Sequence, residues 1–294
     1  MAEHPRIATE SIAGRRPYQE DALLSETLSD DRLLVAVADG MGGHAAGEVA
    51  SALALETLQS ELETGQPLDE AFRRANRAVN TMAREPGKHG MGTTLVAVLL
   101  EGDAYHVANV GDSRAYLISE SGIRQLSHDH SFVAEAMARG QSEEEATSSK
   151  WKDALTRSIG TDSEVEVDVF GPFPVEENTA LMLCSDGLYK TLSDLQLLDI
   201  FSRSGGPRGA VQSLASEAYE SGSDDNISVV VAEFGEVPRR LAAGTMPLEW
   251  EPPADADPPA DDSAGEAAAE TTQDVATEVE AVSYTHLTLP TITE

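Results

Sequence analysis

The chain has 294 residues, enough for one large domain or two small ones, and a hydrophobic content of 40% supports a globular core. Fifty-two acidic against 20 basic residues give a net charge of −32, which speaks against sequence-independent nucleic-acid binding. One cysteine excludes an internal disulfide and fits a reducing compartment. Residues 1–16 lack the apolar stretch of a secretion signal, and no run nears the roughly 20 apolar residues of a membrane helix. The expectation is a soluble cytoplasmic protein that needs to be no more than a monomer.

Ile7–Ile12 reads as a first strand, and a loop then carries Arg16, Glu20 and Asp21. Leu33–Ala38 is an unbroken apolar run leading to Asp39 and the turn Gly40-Met41-Gly42-Gly43-His44. Helical patterns cover Gly47–Glu63 and Leu68–Arg84, with Val49, Leu53, Leu58 and Leu62 roughly on one face of the first. Thr94–Glu101, Ala104–Val110 and Arg114–Ser119 read as strands. The turns Glu101-Gly102-Asp103 and Gly111-Asp112-Ser113 between them have hairpin spacing, so the sheets should be largely antiparallel. His130–Gly160 is helix-like, charged and poor in large apolar groups, which suggests a small exposed subdomain. Thr179–Cys184 leads to Ser185-Asp186-Gly187. Ser193–Ser202, with Ser193 or Asp194 as cap, and Gly209–Tyr219 read as helices. Asp224-Asp225-Asn226 precedes a last strand, Ile227–Phe234. Helix pairs between blocks of antiparallel strands fit an α+β fold, with helices outside a two-sheet sandwich over residues 1–240.

The rest, 241–294, holds 12 acidic and no basic residues. Residues 251–282 have too few large apolar side chains to offset ordering entropy and read as a disordered tail. Residues 283–294 break that composition abruptly, as a non-native end would.

Asp21, Asp39, Asp112, Asp186 and Asp225 come from five short segments, three of which follow apolar runs. A carboxylate at a strand end lies at the rim of a sheet. Several rims converging make an all-oxygen site for a hard divalent cation such as Mg²⁺ or Mn²⁺. Two such ions neutralise a phosphate ester, lower the pKa of bridging water and orient hydroxide towards it. Blander readings compete. Asp-Gly after a strand also starts turns, and Asp112 is a good hairpin residue. Asp224 reads as a solvated neighbour of Asp225, Arg15 as a surface residue or one that shares the phosphate with Arg16, and His44 as a helix-entry residue. Cys184 lacks the arginine six positions on that a thiolate phosphatase needs, since Lys190 stands there, so it reads as core. The glycine-rich turn imitates a dinucleotide-binding loop, but a second helix follows where a parallel strand should, and that reading is rejected.

Arg16-Pro-Tyr-Gln-Glu20-Asp21, Asp39-Gly-Met-Gly-Gly-His44, Gly92-Thr-Thr94, Asn109-Val-Gly-Asp-Ser-Arg114, His128-Asp-His-Ser131, Leu155-Thr-Arg-Ser-Ile-Gly160, Ser185-Asp-Gly-Leu188 and Ser223-Asp-Asp-Asn226 occur in this order. Any one is weak; eight together are specific. They resemble the type 2C metal-dependent serine/threonine protein phosphatases in their bacterial form, over about residues 5–235. The resemblance implies an α-β-β-α sandwich of two antiparallel sheets flanked by helix pairs, with a small flap at about 130–160. It implies that Asp39 bridges two Mn²⁺ or Mg²⁺ ions and that the Gly40 carbonyl binds one. By the same resemblance Asp21, Asp186 and Asp225 would complete the pair, and Asp112 with Asp186 would bind a third ion where one is held. Arg16 would grip phosphoryl oxygens, Glu20 would hold a metal-bound water, and His44 would protonate the leaving alkoxide. Substrates would be phosphoserine and phosphothreonine proteins, including a Ser/Thr kinase. Two departures stand out: Lys190, where an acidic residue is common, and an unusual flap sequence at 142–152. One rival reading is a catalytically weak pseudo-phosphatase that binds phosphoproteins, though the matched carboxylates and Arg16 are intact. Another makes the tail an interaction or autoinhibitory module.

Overall fold

The computed structural model describes residues 4–238 apart from His44. His44, the tail 241–294 and its end 283–294 therefore lie outside the described residues. In chain order come β1 (Arg6–Ile12), β2 (Ala22–Thr27), β3 (Leu33–Ala38), the two-residue β4 (Gly40–Met41), α1 (Ala45–Glu63), α2 (Leu68–Met82) and the short β5 (Gly92–Thr93). Then follow β6 (Leu95–Glu101), β7 (Ala104–Val110), β8 (Arg114–Ser119), β9 (Gly122–Gln125), α3 (Phe132–Ala138) and α4 (Glu143–Thr147). The chain continues with β10 (Asp168–Pro174), β11 (Thr179–Cys184), α5 (Asp186–Tyr189), α6 (Asp194–Arg203), α7 (Pro207–Glu220) and β12 (Ile227–Phe234).

Two five-stranded sheets result, ordered β1-β12-β11-β8-β9 and β10-β7-β6-β3-β2. Their pairings are antiparallel throughout. Successive side chains on a strand point to opposite faces. On β3, Leu33, Val35 and Val37 therefore join Val96, Val98, Leu181, Leu183 and Val230 between the sheets. Leu34, Ala36 and Ala38 pack with α1 and α2 instead. On the other side Tyr116, Met182, Cys184, Val229 and Val231 pack against Leu197, Phe201 and Leu214 of α6 and α7. Both faces of the central strands are thus buried, which is why they read as continuous apolar runs. Each large aliphatic side chain so buried contributes about 1.5–3 kcal/mol.

The expected stripe on α1 holds at Leu58 and Leu62, which are fully buried. Val49 and Leu53 only flank the core, because the contact face is built from the small Ala50 and Ala54, which bring the helix close to the sheet. The α6 start is also as expected: Ser193 N–H donates to Gln196 Oε1 at 2.9 Å. One turn is corrected. Glu101-Gly102-Asp103 does close a hairpin between β6 and β7, but Gly111-Asp112-Ser113 does not. The strand before it and the strand after it belong to different sheets. Gly111, at φ +107°, turns the chain across the gap and leaves Asp112 at the rim between the sheets. Among the described residues no helix is long and apolar enough to cross a membrane.

Candidate active site

All five aspartates sit where chain segments leave or enter the sandwich at one rim, Asp21 immediately before β2. Asp39 follows β3, and its backbone is pinned on both sides. Its N–H donates to Thr94 Oγ1 at 2.9 Å, and its carbonyl accepts from Thr94 N–H and Thr93 Oγ1, both at 2.9 Å. Gly40 follows, and a Cβ there would lie 2.2 Å from the Gly47 carbonyl and 2.5 Å from that of Glu20, so only glycine lets α1 start against this turn. Asp186 opens α5 directly after β11. Asp225 lies in the turn before β12, and Asp224 beside it is exposed, as expected.

Asn226 ties the Arg16–Asp21 loop to that turn. Its Oδ1 accepts from Glu20 N–H at 2.8 Å, and its Nδ2 donates to the carbonyls of Tyr18 (2.8 Å) and Ala13 (3.0 Å). The Glu20 carbonyl also accepts from Ser51 Oγ at 2.6 Å. Arg16 donates to Asp225 Oδ2 at 2.7 Å and to the Asp224 carbonyl at 3.0 Å. Arg15 faces away, its guanidinium 5.7 Å from the centre of the Tyr219 ring. Arg16, Glu20, Asp39, Gly40, Asp112, Asp186 and Asp225 all line one cavity of about 420 Å³, with Lys190 among them. Asp21 lies beneath it, its Oδ2 accepting from Ser185 Oγ at 2.8 Å. The flap reaches this cavity through Asp153, Leu155, Ser158 and Thr161. A larger cavity of about 870 Å³ opens at the other end of the strands, around Asp30–Leu33 and Leu100–Asp103. It has no comparable set of buried carboxylates, so size does not decide where the chemistry is.

The electrostatics of the rim are unusual. Burial, with added repulsion from Asp186 and Asp225, pushes the Asp21 carboxyl up to about 7 despite hydrogen bonds from Ser228 and Ser185. Asp112 is pushed up to about 6, by burial and then Asp186. Burial and four neighbouring aspartates hold Asp39 well above the carboxylate range. Asp225 is raised by burial and Asp186. Asp21 Oδ1 and Asp186 Oδ1 are buried oxygens with no hydrogen-bond donor. These are acceptors left open in an all-oxygen set, and a hard divalent cation fits them. As they stand, no three acidic or histidine side chains among the described residues enclose an ion. A protein cation sits between two of them: Lys190 Nζ is 2.5 Å from Asp186 and 3.6 Å from Asp112.

The residue roles not foreseen are those of support. Asn226, Thr94 and Ser185 all fall within the recognised motifs, but their partners lie far along the chain. His130 belongs here too. Its Nδ1 accepts from Gly111 N–H at 3.0 Å while Nε2 faces Asp168 Oδ2 at 3.1 Å, which braces the Asp112 turn. Cys184 is fully buried and its thiol is pushed up by burial, the opposite of a nucleophilic thiolate. The glycine-rich turn forms an antiparallel pair, Gly40 and Met41 against Thr93 and Gly92, not a parallel βαβ unit.

A profile of the family described as Protein phosphatase 2C matches residues 12–217. The serine/threonine phosphatase stp of Listeria welshimeri is 36% identical over 216 residues, covering 69% of this chain and 85% of its own. The solved serine/threonine phosphatase Stp1 from Staphylococcus aureus superposes with a TM-score of 0.73 at 30% identity, covering 79% of this chain and 96% of its own. The catalytic domain of the serine/threonine protein phosphatase PstP, solved with two manganese ions, gives 0.67 at 31% identity, covering 78% and 98%.

Proposed function

This chain belongs to the protein phosphatase 2C family and is a serine/threonine phosphatase, and from that premise we propose how its rim works and what it acts on. Asp39, Asp21, Asp186, Asp225 and the Gly40 carbonyl hold two divalent cations; Mn²⁺ is the first candidate, because the PstP structure contains it. When bound, these ions neutralise the phosphate dianion and lower the pKa of water at the site. Arg16 matches phosphoryl oxygens with its planar fork of donors, exchanging its bond to Asp225 for the substrate. Glu20, fixed by Asn226 and Ser51, orients water beside the reacting phosphorus. The Ser or Thr alkoxide that leaves takes a proton from the His44 imidazole or from solvent. The substrates are phosphoserine and phosphothreonine proteins, and the enzyme reverses Ser/Thr kinase signalling. The observation that carries this reading is the pair of open buried oxygens at Asp21 and Asp186, set among the raised carboxyls of Asp21, Asp39 and Asp225. Hydrolysis of p-nitrophenyl phosphate by the full chain tests it. Turnover should require Mn²⁺, stop with EDTA and be lost in Asp186→Ala. Equal turnover with EDTA would refute it.

A further inference from the structure

This inference rests on the reading of the rim as a divalent-cation centre. Lys190 is the only one of the chain's four lysines that lines the cavity. It stands one helical turn after Asp186, and its N–H bonds the Asp186 carbonyl at 3.0 Å, so its side chain starts on the same face. Its Nζ lies 2.5 Å from Asp186 Oδ2 and 3.6 Å from Asp112 Oδ2. The two carboxylates arrive from different places, one at the head of α5 and one from the crossing between sheets. Both are largely buried, at 14% and 10% side-chain exposure, whereas Lys190 keeps 47% of its side chain in solvent. A single ammonium therefore spans a gap that two anions would otherwise leave open.

We propose that the Lys190 ammonium is the resident cation of the Asp112–Asp186 gap, so that this chain holds divalent ions on the Asp39 side only. An ion entering the gap would displace the ammonium or face it at short range across a poorly screened rim, and either is unfavourable. Asp112 then acts through Lys190, as a positioning residue and not as an ion ligand. Asp186 keeps one oxygen for Lys190, and its buried Oδ1 stays open for the ion pair.

The test counts Mn²⁺ bound by the full chain at saturation, by equilibrium dialysis with electron paramagnetic resonance of the free ion. Two ions are expected in the wild type and in Lys190→Arg, three in Lys190→Gln, and two again in Lys190→Gln with Asp112→Asn. Equal counts in wild type and Lys190→Gln, at two or at three, overturn the proposal and leave the metal centre standing. No bound Mn²⁺ in any form removes the metal centre and this inference together. Lys190 is half-exposed, so the Gln and Arg variants should fold, and circular dichroism verifies that independently of binding.

Discussion

Two groups of buried carboxylates in this molecule are treated in opposite ways. Beside the flap, Asp129 meets Arg114 through three N–H···O contacts of 2.7–3.1 Å, with Gln125 adding a fourth at 2.8 Å. The Arg114 guanidinium also stacks 3.6 Å above the Tyr189 ring. Nearby, burial would raise Asp168, but hydrogen bonds from His130 and Arg157 outweigh it and hold its carboxyl down at about 2. At the rim, Asp21, Asp39 and Asp112 sit deeper than Asp168 and have too few donors, and their carboxyls rise. Satisfied acids hold the fold together. Unsatisfied ones are stable as a group only with outside cations, which marks a site.

The sharpest break between the two groups is Asp39→Asn. Phosphatase turnover with Mn²⁺ should fall roughly a thousandfold, the order set by losing several kcal/mol of charge stabilisation. The metal-free variant should unfold at a higher temperature than metal-free wild type, because one repelling charge is gone. In the satisfied group, Asp129→Asn should do the reverse: it strands the buried Arg114 and costs about 3–5 kcal/mol in urea unfolding, a loss that Mn²⁺ does not restore.

The comparison also has a pH signature. Asp21 has a folded pKa of about 7, above its ordinary value of 3.8, so the folded metal-free chain binds more protons than the unfolded one between those values. Stability in EDTA should therefore fall as pH rises from about 4 to about 7. Asp168 works the other way: its contribution is present above pH 3.8 and is lost as pH falls towards about 2. Thermal melts in EDTA should peak at mildly acidic pH, and saturating Mn²⁺ should abolish the decline towards neutrality. Melts with the same pH profile with and without Mn²⁺ would contradict the assignment of that decline to the rim. A smaller effect is expected for Asn226→Ala, which leaves the Glu20 amide and two loop carbonyls without their partner. It should cost about 1–3 kcal/mol of stability and lower turnover with the carboxylates intact, as urea titration and p-nitrophenyl phosphate kinetics would show.

The sandwich was legible because its central strands are buried on two faces and carry long apolar runs, as β3 does throughout and β6 does from Leu95 to Leu100. Of the four edge strands only β1 was, as Ile7–Ile12; β2, β9 and β10 were not. Ala22–Thr27 is half-buried and polar at intervals, and Asp168–Pro174 contains Gly171 and Pro172 with a register shift between Phe170 and Phe173. Edge positions tolerate such breaks, so the pattern fades there. At the rim, Asp39, Asp112 and Asp186 stood out because each follows an apolar run and sits beside a glycine, whereas Asp21 and Asp225 were picked out by their motifs. Asn226 and Ser185 did not, since what defines them is a partner 206 or 164 residues away. The sheet crossing at Gly111 was read as a hairpin because turn chemistry is local and does not say which sheet receives the next strand.

The most direct test of the central claim is anomalous diffraction at the manganese edge from crystals of the full chain grown with Mn²⁺. Two peaks bridged by the Asp39 carboxylate, with Asp21, Asp186 and Asp225 around them, are the expected result. An Asp39 carboxylate with no manganese beside it, in an enzyme that still turns over phosphate esters, would contradict the account.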